Sequence, residues 1–582
     1  MKQQVKADIR VSFRVATDPA RRGIRTYPDG VAISRRQFGR FGGAALAAVL
    51  AGTAAASSAR FPAPRWLGDP FSLGVASGDP TPDGFVLWTR LAPDPTAPDG
   101  LAGTPLAPVS VDYEVAHDEG FRAVVARGTA VAGRDLGHSV HPEISGLEPD
   151  RWYYYRFRAG SAISPVGRTR TAPAAGQRLD RMRFAFASCQ SWTSGYFTAY
   201  DHLSREDLDL VVHLGDYIYE MGWVRGRAGQ QVWEPQLEGE AVDLRGYRLR
   251  YAQAKAEAPL QAAHAAFPWL VTMDDHEVDN NWAGESPGLG LTVHGFGPLF
   301  LKRRAAAFQA MYEHQPLRLA QMPRGPSMLL HRRYRFGDLA DFTMLDTRQY
   351  RTAQACGDGD VVRGCDERSN PERTMLGAGQ REWLLDGLAN SPARWQVLGN
   401  QVGMSRTDMD PGPEVALATD PWDGYLADRA AVLGAAARLG GRNMVVITGD
   451  RHENHAADLR RDHGDPDSPV VSAEFTGTSI TSGGDGSDMT PRGRTMLDAN
   501  PDIRFFNGQR GYVRVELDHE LWRTDFRVLP YVRRPGAPIS TRASYVVENG
   551  VPGVREAWRP EPPRDADAGG GRSESTEAAP TR

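Results

Sequence analysis

An α/β fold with layered sheets, preceded by a small antiparallel β-sandwich, follows from three features of the sequence. Between residues 181 and 555, the runs MRFAFASC, LDLVVHLGD, PWLVTMDDHE, RWQVLGNQV and NMVVITGDRH are almost unbroken apolar stretches. Strands buried on both faces read this way, whereas half-exposed strands alternate. Helical patterns lie between them, in GPLFLKRRAAAFQAMYEHQ, GAGQREWLLDGLANS and YLADRAAVLGAAARLGG. Upstream, residues 66–172 carry shorter runs, GFVLWTRL, PVSVDYEVA and RWYYYRFRAG, separated by the turn chemistry of SGDPTPDG and SGLEPD. That spacing predicts the sandwich.

The elements follow in order. Residues 1–59 hold ten Lys/Arg and three acids, so this segment is at +7 in a chain whose net charge is -4, and the remainder is at -11. A body that acidic has no general attraction to nucleic acid. Within the basic segment, SRRQFGR (Ser34–Arg40) precedes FGGAALAAVLAGTAAA, and small residues follow at 54–59. The apolar run is short for a bilayer span, which needs roughly 20 residues. Paired arginines before a mildly apolar core resemble a twin-arginine export signal. The expected partner is therefore the twin-arginine machinery, which carries folded proteins, and the expected destination is outside the cytoplasm: secreted, periplasmic or envelope-associated. The mature chain is expected to have no membrane span. After the sandwich, TAPAAGQRLD reads as a linker. The α/β domain then runs over 181–555, with hairpins expected in LLHRRYRFGDLADFTMLDTR and GYVRVELDHELWRTDFRVL. Residues 556–582 are polar, rich in Gly and Pro, and expected to be disordered.

There are three cysteines. Cys356 and Cys365 lie in the polar loop ACGDGDVVRGCD, and in an exported protein they read as a local disulfide. Cys189 is then left over, and an unpaired thiol in an oxidising compartment needs a reason.

Each of the five strand ends finishes in groups able to hold a metal. They are Cys189; Asp216 and Tyr219; Asp274, Asp275 and His276; Asn400 and Gln401; and Asp450, His452 and His455. Open α/β sheets gather ligands at the carboxyl ends of their strands. One Asp after a Gly is an ordinary turn residue; five such ends in succession are not explained by turns.

The strings FSLGVASGDPTPDGFVLWTRL, FASCQSW, HLGDYIYE, DDHEVDNNW, LDTRQYR, WQVLGNQV, TGDRH and RGYVRV occur in the order found in the PhoD alkaline phosphatases, and the chain resembles that family over roughly 68–555. PhoD enzymes are part of the calcineurin-like metallophosphoesterase superfamily, so the resemblance implies a layered α/β/β/α catalytic domain. It implies that Asp216 bridges two metals, that Tyr219 and His452 ligate Fe(III), and that Cys189, where most of the superfamily has Asp, supplies a thiolate. It further implies a second site at Asp275, Asp450 and the amide of Asn400. There, oxygen donors in place of imidazoles suit Ca2+ (one ion or two) better than zinc. His276 is implied to stabilise or protonate the leaving oxygen. Asn280 and Asn281 have no assigned role. Arg348 and Tyr350 either reach substrate phosphate or pack between sheets, and the Gly-rich TSITSGGDGSD (Thr478–Asp488) shapes the pocket rim or is a flexible loop.

The expected function is hydrolysis of phosphate monoesters and diesters by a metal-bound hydroxide, without a covalent phospho-enzyme. A phosphodiesterase of narrow specificity, acting on phospholipid or teichoic acid, is the alternative within enzymes. A non-catalytic surface binding protein is the alternative outside them.

Overall fold

A computed structural model describes residues 60–62, 64–221, 239–288 and 297–560. The expected export signal at 1–59, and the expected tail beyond 560, lie outside the described residues. The strand Val551–Trp558 takes in the first three residues of the expected tail, 556–558, which are therefore ordered.

Two sheets stack face to face. The larger has eleven strands. At its centre Met182–Ala187, Leu210–His213 and Pro268–Val271 pair in parallel. The hairpin Arg510–Leu517/Leu521–Leu529 extends it on one side, followed by Ser540–Glu548 and Val551–Trp558. The second sheet has seven strands, in which Ala340–Met344, Trp395–Asn400, Asn443–Thr448 and Val470–Thr476 run parallel.

The two-residue period of a strand decides which layer each side chain enters. Phe184, Phe186, Leu210 and Val212 of the larger sheet meet Phe342, Val397, Val445 and Ile447 of the smaller in one buried core. Phe184 and Phe342 touch edge to face across the gap, with ring centroids 5.0 Å apart. The intervening residues, Ala185, Ala187 and Val211, face outward onto the helices Leu244–Lys255, Ala258–Ala266 and Pro298–His314. On the far side, Leu398 and Val446 pack under Gly377–Asn390 and Leu426–Ala436. Both runs are fully buried because both faces are covered, and the result is the α/β/β/α order.

The N-terminal segment divides between two sheets. Val109–Ala116, Val124–Ala132, Trp152–Ala159, Ala162–Ile163 and Gly167–Arg170 form an antiparallel sheet of five strands. Val75–Thr81 and Gly84–Arg90 instead join the eleven-stranded sheet, where Ser77 pairs with Pro268 and Gly78 with Trp269 in parallel. Val75, Phe85 and Leu87 then form one core with Val111, Tyr153 and Tyr155 of the small sheet. The antiparallel N-terminal unit thus shares its second layer with the large sheet. VASGDPT lacks alternation because it is covered on both faces.

No helix among the described residues is long and apolar enough to cross a membrane. Cys356 and Cys365 are disulfide-bonded, and Cys189 is free and buried.

Candidate metal centre

The parallel strands end at one edge, and the loops leaving them carry the polar groups. Cys189, Asp216, Asp450 and His452 all adopt left-handed backbone, with φ of 58°, 56°, 65° and 57°. Non-glycine residues rarely do so, and strain of this kind persists where the surroundings over-determine it. The loops brace each other: the Cys189 N–H donates to the Gly215 carbonyl (3.1 Å), and the Gln190 N–H to the Asp216 carbonyl (3.0 Å). Gly215, at φ 108°, could not be alanine, because a Cβ there would sit 2.4 Å from Cβ of Asp274.

The inner end of the site gathers four different donors. The Cys189 thiol, an Asp216 carboxylate oxygen and a His452 ring nitrogen lie within 4.8 Å of one another. The Tyr219 hydroxyl is 3.0 Å from Asp216 Oδ2 and 3.1 Å from His452 Nε2. Ser482, from the Gly-rich loop, donates to the Cys189 carbonyl (2.7 Å) and touches the Tyr219 hydroxyl (2.7 Å). This loop is therefore packed against the inner donors, not only at the rim. Arg510 donates to the His452 carbonyl and holds the loop at Gly484 (2.8 Å).

The outer end has oxygen donors. Asp274, Asp275 and Asp450 form one group within 4.8 Å, and Asp216, Asp275 and His276 another, so Asp216 is common to the inner and outer ends. Arg348 is fully buried beneath them. It donates to Asp274 (2.6 Å) and Asp420 (2.9 Å) and lies 3.7 Å from Asp275. Its role is to fix carboxylates. Tyr350 is partly exposed beside His331 and lies outside the cavity.

A cavity of about 450 Å³ opens here, lined by Asp216, Asp275, His276, Asp450 and His452 together with Asn280, Asn281, Asp358 and Asp360. No lysine or arginine is among these lining residues. Asn400 is not brought to the cavity. Its Oδ1 accepts from the Trp422 indole (3.0 Å), and its amide donates to Val402 (2.6 Å) and Thr448 (3.1 Å). Asn400 follows Leu398 by two residues and shares its outward face, where Trp422 and the outer helices lie. His455 lies within the strand Asn454–Arg460, against Phe506.

Two glutamates escaped the sequence reading. The buried Glu277 carboxylate accepts from the N–H groups of Asp216 (3.1 Å), Tyr217 (2.6 Å) and Asp274 (2.7 Å), pinning two strand-end loops together. Glu220 Oε2 lies 2.7 Å from His276 Nδ1, and its other oxygen accepts from the Asn280 N–H (2.9 Å). The available signal was position: each glutamate closes a strand-end string already singled out, HLGDYIYE and DDHE.

The electrostatics are those of a site built for cations. Burial, reinforced by neighbouring carboxylates, pushes Asp216 well above the ordinary range and Asp450 to about 7. Burial, then Asp216, raises the Cys189 thiol and the Tyr219 phenol. Burial opposes charging of His276, but Glu220, Asp275 and Asp216 outweigh it and hold the imidazole well above its usual value. Five carboxylates line one cavity, with the imidazoles and the buried Arg348 beneath as the nearby positive groups, and further positive charge placed there relieves these shifts. A thiol, phenol, imidazole and carboxylate at one end suit a strong Lewis acid. Oxygen donors alone suit a hard cation at the other.

Comparisons with known proteins place the chain in a family. The family model described as PhoD-like phosphatase matches residues 184–526, and that of the PhoD-like phosphatase N-terminal domain matches residues 54–173. Alkaline phosphatase D of Bacillus subtilis (strain 168) is 46% identical over 526 residues, covering 90% of this chain and 89% of its own length. The solved structure titled "Structure of PhoD" is similar with a TM-score of 0.80 and 47% identity, over 85% of this chain and 94% of that one. On the fold, the strand-end donors and these matches, the chain belongs to the PhoD-like phosphatase family.

Proposed function

We propose that this phosphoric ester hydrolase is an exported, metal-dependent phosphatase acting on phosphate monoesters and diesters. Fe(III) would be held by Cys189, Asp216, Tyr219 and His452. Calcium would be held at the outer end by Asp275 and Asp450, sharing Asp216. The carrying observation is the cavity wall: five carboxylates, two carboxamides and two imidazoles, with no lysine or arginine among the described lining residues, so bound cations would offset the wall for an anionic ester. When bound, the cations supply Lewis acidity that lowers the pKa of water and neutralises charge on the phosphoryl oxygens.

The chain's own groups do the rest. Asp216 keeps the two ends of the centre at a fixed separation. Glu277 and Arg348 hold the loops and carboxylates in place before substrate arrives. His276 faces the cavity with Nδ1 engaged by Glu220, which leaves Nε2 to hand a proton to the departing oxygen. That role does not depend on whether the phosphorus carries one ester or two, which supports activity on both. Export is supported by the twin-arginine-like leader and by the disulfide, which suits an oxidising compartment.

The experiment is Asp216→Asn assayed on p-nitrophenyl and bis-p-nitrophenyl phosphate with metal analysis. Loss of turnover on both, together with loss of bound metal, is expected. Near-wild-type turnover in a metal-replete variant would refute the assignment.

A further inference from the structure

The cross-linked loop contributes to the cavity. Cys356 and Cys365 close the loop 357–364, whose Asp358 and Asp360 line the cavity. Asp358 is tied inward: both of its oxygens accept from Asn281 Nδ2 (2.9 and 2.8 Å). Asn281, in left-handed backbone at φ 54°, donates its own N–H to Asp275 Oδ2 (2.7 Å). A continuous path thus runs from the cross-linked loop through Asn281 to an outer-end carboxylate. The inner donors, Cys189, Tyr219 and His452, are not on it.

The loop's other restraints are these: Thr419 donates to the Gly357 carbonyl (2.8 Å) and pairs with Gly359, Glu367 accepts from the Cys356 N–H (2.7 Å), Val362–Arg363 pairs antiparallel with Ala416–Leu417, and Arg363 donates to Asp410 (2.8 Å). None of them holds Asp358 to the outer carboxylates, which is left to Asn281. Gly357 and Gly364, at φ 80° and 62°, mark either end. A stretch this rich in glycine has much freedom to lose on ordering, and a covalent closure removes much of it in advance.

We propose that the Cys356–Cys365 cross-link is a positioning element for the outer end of the centre, setting calcium affinity through Asp358 and Asn281 while leaving iron retention unchanged. The inference rests on the outer end taking calcium, as proposed above. The test titrates calcium ion calorimetrically into iron-loaded, calcium-stripped protein. It compares wild type, wild type reduced in place with a phosphine, and the double variant Cys356→Ser/Cys365→Ser, with iron content measured for each. Calcium binding roughly tenfold or more weaker without the cross-link is expected, within the range seen when groups supporting a metal ligand are lost. Iron content should not change. Reduction in place covers the case in which the double variant misfolds. Calcium affinity within about twofold of wild type after reduction, or parallel loss of iron and calcium, would overturn the inference alone. Wild-type protein that binds no calcium would overturn the calcium reading and this inference with it.

Discussion

Glu220→Gln is the sharpest probe of the site, because it changes one charge and almost no volume. Gln keeps an oxygen for the Asn280 N–H and a group within reach of His276 Nδ1. What disappears is the negative charge 2.7 Å from the imidazole, in a pair whose side chains are only 9% and 2% exposed. Glu220 does more than any other carboxylate to raise His276, and unlike Asp216 and Asp275 it is not among the proposed ligands, so bound cations do not cancel its effect. A hydrogen bond to a charged group contributes about 1.5–3 kcal/mol, which corresponds to roughly 1–2 pH units in the imidazole pKa. The sign follows from the direction. The folded-state pKa is raised, so His276 is protonated below it and loses its proton as pH rises through it. Removing Glu220 lowers that point, and the alkaline arm of the kcat profile should move down by about 1–2 units. The effect should be larger for alkyl phosphates, whose leaving alkoxide needs the proton, than for p-nitrophenyl phosphate, whose leaving group does not. The assay is the kcat–pH profile on both substrate types. An unmoved alkaline arm with an unchanged alkyl-to-aryl ratio would refute the role given to His276 and its carboxylate.

Two further outcomes follow. Arg348→Met should lower the stability of the metal-free protein by about 3–5 kcal/mol, because Asp274 would be left as an uncompensated buried carboxylate, whereas Asp420 keeps Arg351; thermal unfolding before and after metal loading checks this, and loading should recover part of the loss. Since burial and Asp216 hold the Cys189 thiol and Tyr219 phenol in their protonated forms, iron loading should release protons and tighten as pH rises; Tyr219→Phe should reduce the proton release and weaken the visible absorption of the ferric protein, and an unaltered spectrum would remove Tyr219 from the ligand set.

The sequence displays what is local and hides what is contributed across the fold. Strand, glycine and carboxylate stand together in HLGDYIYE, so the donors at the strand ends were legible as a set. Asn400 had the same appearance, yet the two-residue period turns it outward to Trp422, and only the partner reveals that. Glu277 and Glu220 act on groups roughly sixty residues away in the chain, a separation that no local pattern encodes. Asp358 and Asp360 looked like ordinary members of a polar loop because the cavity they line is made elsewhere. The strand Val75–Thr81 read as part of a separate sandwich for a related reason: its pairing partner, Pro268–Val271, lies nearly two hundred residues downstream.

That pairing has a consequence for how the protein is made and handled. The catalytic sheet takes strands from near both ends of the described chain, with Val75–Thr81 beside Pro268–Val271 and Arg510–Leu517 beside Met182–Ala187. Val75–Thr81 must wait for Pro268–Val271 to emerge and Met182–Ala187 for Arg510–Leu517, so this sheet is assembled late, and the high sequence separation makes it slow. A fragment beginning at residue 181 would expose Pro268–Val271 as a bare apolar edge open to pairing with other chains. The small N-terminal unit therefore cannot be trimmed away as an accessory: strands from both ends of the described chain flank the three central ones whose loops carry the candidate site, and that sheet is whole only with both in place.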